Sequence, residues 1–284
     1  MKSKIFRAIL FSLLATVTIA PGVAFAHQPR ITEGRRTDVI DPEVSKAYYG
    51  KLAGEPDVYL IEADQAFDLY VGVLVPDIAG QKRDVSATVL RDGVQIAALD
   101  GMTFAWTRFF EPFGHDTYWQ GPEYQARVEA GSYEIRVSSG SDDSKYSLAI
   151  GETEAFDAKE TVNALTLIPQ IKRDFFNESP IGFILSPFGW GLIAVMYLVA
   201  GVVGLVYRLV LKKVAKNTPR GLGRNIGKFD RLIRLAIGIA LLAWAVTTTW
   251  SPILIFFSGF AIFEAIFSWC GLYAAMGKST CPNK

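Results

Sequence analysis

Two hydrophobic periods divide this chain. From Ser45 to Glu152 apolar residues alternate with polar ones, most clearly at Phe67, Leu69, Val71 and Val73 and again at Tyr133, Ile135 and Val137. A period of two is that of a strand with one face buried. The segments "KAYYGKLAG", "DVYLIEAD", "FDLYVGVLVP", "DVSATVLRDGVQIAALD", "EYQARVEAGSYEIRVSSG" and "KYSLAIG" are therefore read as strands, with Asp92-Gly93 as a hairpin turn. About eight strands at this spacing predict an antiparallel sandwich.

After Pro180 the alternation gives way to uninterrupted apolar runs. Ile181 to Tyr207 contains no charged side chain, and about 20 apolar residues suffice to cross a bilayer. A helix starting near Pro187 is expected to span. Two further runs, Leu235 to Trp250 and Ile253 to Gly277, are separated only by Ser251 and Pro252, which predicts a tight outer hairpin with Trp250 at the interface. Between the strands and the first run, Ala155 to Leu167 has helical character, Pro169 is expected to break it, and Phe175 and Phe176 suit the membrane interface.

Charge supplies the direction. The 284-residue chain carries a formal charge of only +1 and a mean hydropathy of +0.24. Residues 27–180 nevertheless contain 15 Lys and Arg against 26 Asp and Glu, whereas residues 208–234 contain 9 basic residues against Asp230 alone. Short basic loops stay in the cytoplasm. The start, "MKSKIFRAILFSLLATVTIAPGVAFA", has the basic, apolar and A-x-A regions of a secretory signal. A bacterial inner-membrane protein is expected, with its N-terminal domain exported to the periplasm and its C-terminus in the cytoplasm. The exported part has no cysteine, so its fold needs no disulfide, and Cys270 and Cys281 fall in the reducing compartment.

The order "NIGKFDRLIRLAIG", an apolar hairpin, then "CGLY" and "GKSTCP" resembles the YgaP-like inner-membrane domain over roughly residues 225–282. Asn225, Asp230, Arg231, Arg234, Gly238, Cys270, Leu272, Tyr273, Gly277, Thr280 and Cys281 follow that pattern, while Gly271 stands where the family usually has proline. The family often occurs beside rhodanese modules, absent here, so a sulfur-handling role is implied by association only. The ending "AGSYEIRVSSGSDDSKYSLAIG" is similar to the last strands of prepeptidase C-terminal jelly-roll modules, which are exported accessory domains. The expected organisation is multidomain, an exported all-β antiparallel, jelly-roll-like sandwich followed by three transmembrane α-helices. Its parts are a signal peptide (1–26), the sandwich (27–152), a juxtamembrane helix and linker (153–182), a span (183–211), a basic cytoplasmic loop (212–231), the YgaP-like hairpin (232–277) and a tail (278–284).

Candidate chemistry is sparse. "WTRFFEPFGHDTYWQGPEY" lacks alternation and gathers Trp106, Arg108, Glu111, His115, Asp116, Tyr118, Trp119 and Glu123. It reads as a long loop at the sandwich rim, where rigid scaffolds place binding residues, or as a loop folded over the sheet end by its aromatics. Signal cleavage would make His27 the mature N-terminus, whose amine and imidazole, with His115, would form a three-nitrogen set suited to copper. The plain alternative is that His27 merely borders the cut. Acidic pairs such as Asp142-Asp143 and Glu62 with Asp64 offer oxygen ligands for calcium, without EF-hand spacing.

Glu264 lies mid-span, where a carboxylate needs a partner, and Thr247 to Thr249 are candidates. Cys270 and Cys281 can be a redox pair or, equally, a buried filler and an idle tail thiol. No G-x-S-x-G, H-E-x-x-H or phosphate loop occurs. The function expected is therefore a non-enzymatic, membrane-anchored binding or accessory protein for a periplasmic or extracellular ligand, with oligomerisation open and nucleic acid not among its partners. A redox or sulfur-handling protein using Cys270 and Cys281, and a copper-binding domain using His27, are the alternatives.

Overall fold

A computed structural model describes residues 27–141, 143–214 and 223–281. The expected signal peptide, residues 215–222 of the basic loop, Asp142 and the last three residues lie outside the described residues. Eleven strands are present among them: β1 (Gln28–Ile31), β2 (Arg36–Asp38), β3 (Lys46–Lys51), β4 (Asp57–Ala63), β5 (Phe67–Pro76), β6 (Val85–Arg91), β7 (Val94–Leu99), β8 (Thr107–Glu111), β9 (Asp116–Val128), β10 (Gly131–Ser139) and β11 (Lys145–Ile150).

They form a six-stranded sheet ordered β1-β3-β11-β5-β9-β8 facing a five-stranded sheet ordered β2-β4-β10-β6-β7. The alternating residues meet between the sheets: Leu69, Val71, Val73, Tyr133, Ile135 and Val137 all belong to one buried core. Inside it Tyr146 donates to Asp57 at 2.7 Å and shares a 2.8 Å hydrogen bond with Tyr59, so the buried hydroxyls are satisfied. Asp92 and Gly93 both adopt positive φ, as a type I′ hairpin requires.

The sandwich is as expected; its edges are not. The edge strands β1 and β2 pair in parallel with β3 and β4, because the chain enters along one sheet and crosses to the other before either hairpin begins.

The connector differs more. Helix α1 (Ala158–Gln170) is capped by Asp157, contains Pro169, and continues into a π-helical turn at Ile171–Phe175. Proline removes one N–H but the helix does not stop at it. The chain widens just beyond, and Phe176 N–H reaches Ile171 O at 3.1 Å. Phe175 and Phe176, expected at the lipid interface, are instead buried on the sandwich, edge-on to Tyr49 and Tyr118 with centroids 5.0 and 5.1 Å apart.

A 3₁₀ turn (Pro180–Leu185) leads into α2 (Pro187–Val214), followed by α3 (Lys228–Thr248), α4 (Pro252–Phe267) and the short α5 (Gly271–Ala275). Of these, Pro187–Leu211 is long and apolar enough to cross a membrane, with a hydropathy of 2.2, and α4 is apolar but only 16 residues long. The third expected run thus breaks early: Ser268 takes a left-handed conformation, φ 53°, and closes α4 before Cys270. Trp250 is buried rather than interfacial, donating to Pro180 O at 2.8 Å and packing on Phe183.

Candidate functional site

The segment expected to be a loop is a β-hairpin. Glu111 pairs with Asp116 in register, and β9 runs unbroken past Glu123. The turn is held by Glu111, whose carboxylate accepts the Phe113 and Gly114 N–H groups at 2.6 and 2.7 Å, and His115 adopts φ 61°. Alternation is lost from the sequence because the inner side of this hairpin tip meets another part of the chain and its turn packs on α2.

One side meets the connector. The Lys172 ammonium, fully buried in the π-helical turn, donates to Asp116 Oδ1 at 2.6 Å, and Asp116 is itself 5% exposed. Burial pushes the Asp116 carboxyl up to about 6 against the pull of Lys172, and pushes Glu111 up to about 7. Tyr49 and Tyr118 share a 2.9 Å hydroxyl hydrogen bond beside them. Together with His27, Ser147 and Ile171 these residues enclose a cavity of about 60 Å³. At the tip, Phe113 packs against Phe188 at the start of α2, with centroids 4.2 Å apart, and its carbonyl accepts Ser186 Oγ at 2.6 Å.

The other expected site residues are engaged within the sandwich. Trp106 donates to Gly101 O, and Trp119 donates to Asp77 under the Arg83 guanidinium. Arg108 pairs with Asp77 at 2.5 Å, and Glu123 accepts from Tyr70 and Gln120. The eight residues therefore do not converge on one pocket. His27 bonds Ser45 Oγ at 2.5 Å, burial holding its imidazole below the usual range, and it lines the cavity, whereas His115 is edge-on to Phe110 outside it. Among the described residues no three His, Cys, Asp or Glu side chains are grouped to hold a metal ion. Of the calcium candidates, Asp143 pairs with Lys51 and Glu62 accepts from Ser132.

A second concavity escaped the sequence reading. A groove of about 1020 Å³ opens between β1, β2, β3 and the first turn of α1. Its floor is fixed by Arg30, which forks onto both Glu160 carboxylate oxygens at 2.9 and 3.0 Å, and by Lys46, which donates to two backbone carbonyls. No sequence signal marks it, since it arises where two edge strands part.

In the helical part Glu264 does have a partner, but it is Arg234, which also pairs with Asp230 at 3.2 Å; Thr247 and Thr248 bond their own helix carbonyls instead. A cation one helix away and seven residues inside α3 satisfies a buried carboxylate better than a hydroxyl at the far end. Asn225 clamps the backbone of Cys270 in both directions, at 2.9 and 2.7 Å. Both thiols are free, Cys270 buried and Cys281 against Arg224 O.

Fold and geometry together define a two-part protein, a β-sandwich seated on a set of apolar helices. Residues 222–284, about a fifth of the chain, match the family described as "Inner membrane protein YgaP-like, transmembrane domain", so this part of the chain is similar to a membrane domain of that type. No curated protein matches the chain.

Among solved structures, the chain is similar to the pre-peptidase C-terminal domain of collagenase from Bacillus anthracis (13% identity, 43% of this chain and 94% of that one, TM-score 0.25). It is also similar to a family 35 carbohydrate binding module from an environmental isolate (20%, 37% and 74%, 0.23). A third is CorA of Methylomicrobium album BG8, a surface-associated copper-binding protein important in copper acquisition (9%, 44% and 100%, 0.24). At such scores none of these likenesses carries a ligand or an activity over to this chain.

Proposed function

We propose that the chain is a membrane-anchored, non-enzymatic binding or accessory protein whose exported sandwich is held against its membrane helices as one body. In this reading α2, α3 and α4 span the membrane, the basic loop lies inside, and the sandwich faces the periplasm. The observation that carries it is the buried Asp116–Lys172 pair, which joins β9 to the connector at 2.6 Å. A sandwich on a loose tether would have no reason to bury two charges in its contact with the tether, since each costs several kcal/mol to desolvate. A ligand in the open groove would touch the first turn of α1, and α1 leads through Lys172 to α2. Occupancy of the sandwich would thereby reach the membrane helices.

Labelling of single cysteines with a membrane-impermeant maleimide tests the arrangement. A cysteine placed at exposed Arg136 should react in intact spheroplasts, and native Cys281 only after permeabilisation. The opposite pattern would overturn the orientation, and reaction of both from outside would overturn the odd number of spans.

A further inference from the structure

The β8–β9 hairpin is inside out. Between Gly101 and Pro122 the only acidic residues are Glu111 and Asp116, and both turn inward, one to backbone N–H groups and the other to Lys172. Phe110, by contrast, is 50% exposed on β8, an edge strand with no further neighbour in its sheet, whereas the adjacent Phe109 turns to the face of Glu111 and lines the cavity. Burying carboxylates while exposing a phenylalanine is unfavourable if the outer side of the hairpin is water, because each choice carries its own transfer cost.

The surroundings say what the outer side meets. The tip is fixed to the start of α2 by Phe113 on Phe188 and by Ser186 Oγ on the Phe113 carbonyl. Phe110 is three residues from Phe113, hence within roughly 10 Å along the strand. The interfacial layer on each side of the hydrocarbon core is itself roughly 5–8 Å deep. Phe188 and Trp190, at the same level on α2, are 43% and 57% exposed, and Trp190 has the amphipathic character of an interfacial aromatic belt. Arg108, paired with Asp77, lies beside Phe110, and Arg173 donates to Thr248 O at the outer end of α3, on a connector that also exposes Asp174 and Glu178.

We infer that the outer edge of this hairpin is a lipid-contacting surface, with Phe110 seated in the headgroup layer of the outer face of the bilayer, continuous with the start of α2. The inference rests on the spanning reading of α2. It makes the sandwich lie on the membrane along one edge, leaving the polar groove of β1 and β2 on the opposite edge to the aqueous side.

The test uses the full chain with Cys270 and Cys281 replaced by serine, reconstituted in phosphatidylethanolamine–phosphatidylglycerol vesicles. A single cysteine at Phe110, Ile40 or Val199 carries an environment-sensitive fluorophore, and doxyl lipids quench it from the headgroup, the 5-position or the 12-position.

Strong quenching at 110 by the headgroup and 5-position labels, none at exposed Ile40, and quenching at 199 by the 12-position label supports the proposal. A probe at 110 as unquenched as the one at 40, with 199 still quenched, overturns it and leaves the spanning reading intact. Loss of quenching at 199 overturns both. A blue-shifted, unquenched probe at 110 that reverts when the protein is diluted in lipid assigns the edge to a second copy of the chain and also overturns the proposal.

Discussion

Replacing Asp116 with leucine isolates the contact between sandwich and connector. The change leaves the Lys172 ammonium, now 0% exposed and 2.6 Å from its partner oxygen, without an anion. Coulomb's law at that distance and an effective dielectric near 20 gives roughly 6 kcal/mol of attraction, opposed by several kcal/mol of desolvation for each ion. Losing the attraction while keeping one penalty costs about 3–5 kcal/mol, the range expected when one partner of a buried pair is removed. Lys172→Met should cost a similar amount by stranding Asp116. The double variant removes both penalties and fills the space with apolar atoms, so it should return to within about 1 kcal/mol of the parent. The assay is reversible unfolding of the full chain in mixed micelles at pH 7.5, above the titration of Asp116. Single variants that each cost under about 0.5 kcal/mol and add in the double would refute the reasoning, since the pair would then contribute nothing to the docking.

Three further outcomes follow from particular contacts. Glu111 is held well above the usual carboxylate range, to about 7, by burial. Its stabilising, protonated form is fully present below the unfolded value near 4.5 and is lost as pH rises through about 7, so stability should fall by on the order of 2 kcal/mol between pH 5 and 8. Glu111→Gln should flatten that slope, as followed by thermal unfolding across the range. Gly189 sits under the 3₁₀ turn, where an added Cβ would overlap the Phe183 carbonyl, whereas Gly191 faces open space. Gly189→Ala should therefore destabilise by about 2 kcal/mol and Gly191→Ala by nothing measurable in the same unfolding assay. Asn225→Ala removes both hydrogen bonds to the Cys270 backbone, a loss of about 2–3 kcal/mol, and Cys270 should then react with maleimide several-fold faster than in the parent.

The sandwich core was readable in the sequence because burial on one face writes its own period. Residues such as Leu69, Val71 and Ile135 point inward for the reason that made them conspicuous. Asp92-Gly93 was readable because its turn demands positive φ twice. Short edge strands were not: β1 and β2 have four and three residues, too few for a period to emerge. Pro169 misled in a different way, since the rule that proline stops a helix assumes the lost N–H has nowhere to be absorbed, and a π-helical turn absorbs it.

The site was the least legible part, and the hairpin shows why. Periodicity reports burial only when one face is wet and the other dry. Around Glu111 to Tyr118 the inner face meets Tyr49 of β3 and a connector carrying Lys172 and Phe175, so carboxylates are found where a core would put leucine. Phe113 leaves the sandwich altogether to pack on Phe188. The residue types in the segment are therefore those of two interfaces superimposed, and their sum looked like an irregular loop. What the sequence did contain was the anomaly itself: two acids and three phenylalanines within the eight positions 109–116 of a strongly acidic domain. A segment that inverts the polarity of its own domain records the surfaces it touches, and here those surfaces are supplied by residues 56 to 75 positions further along the chain.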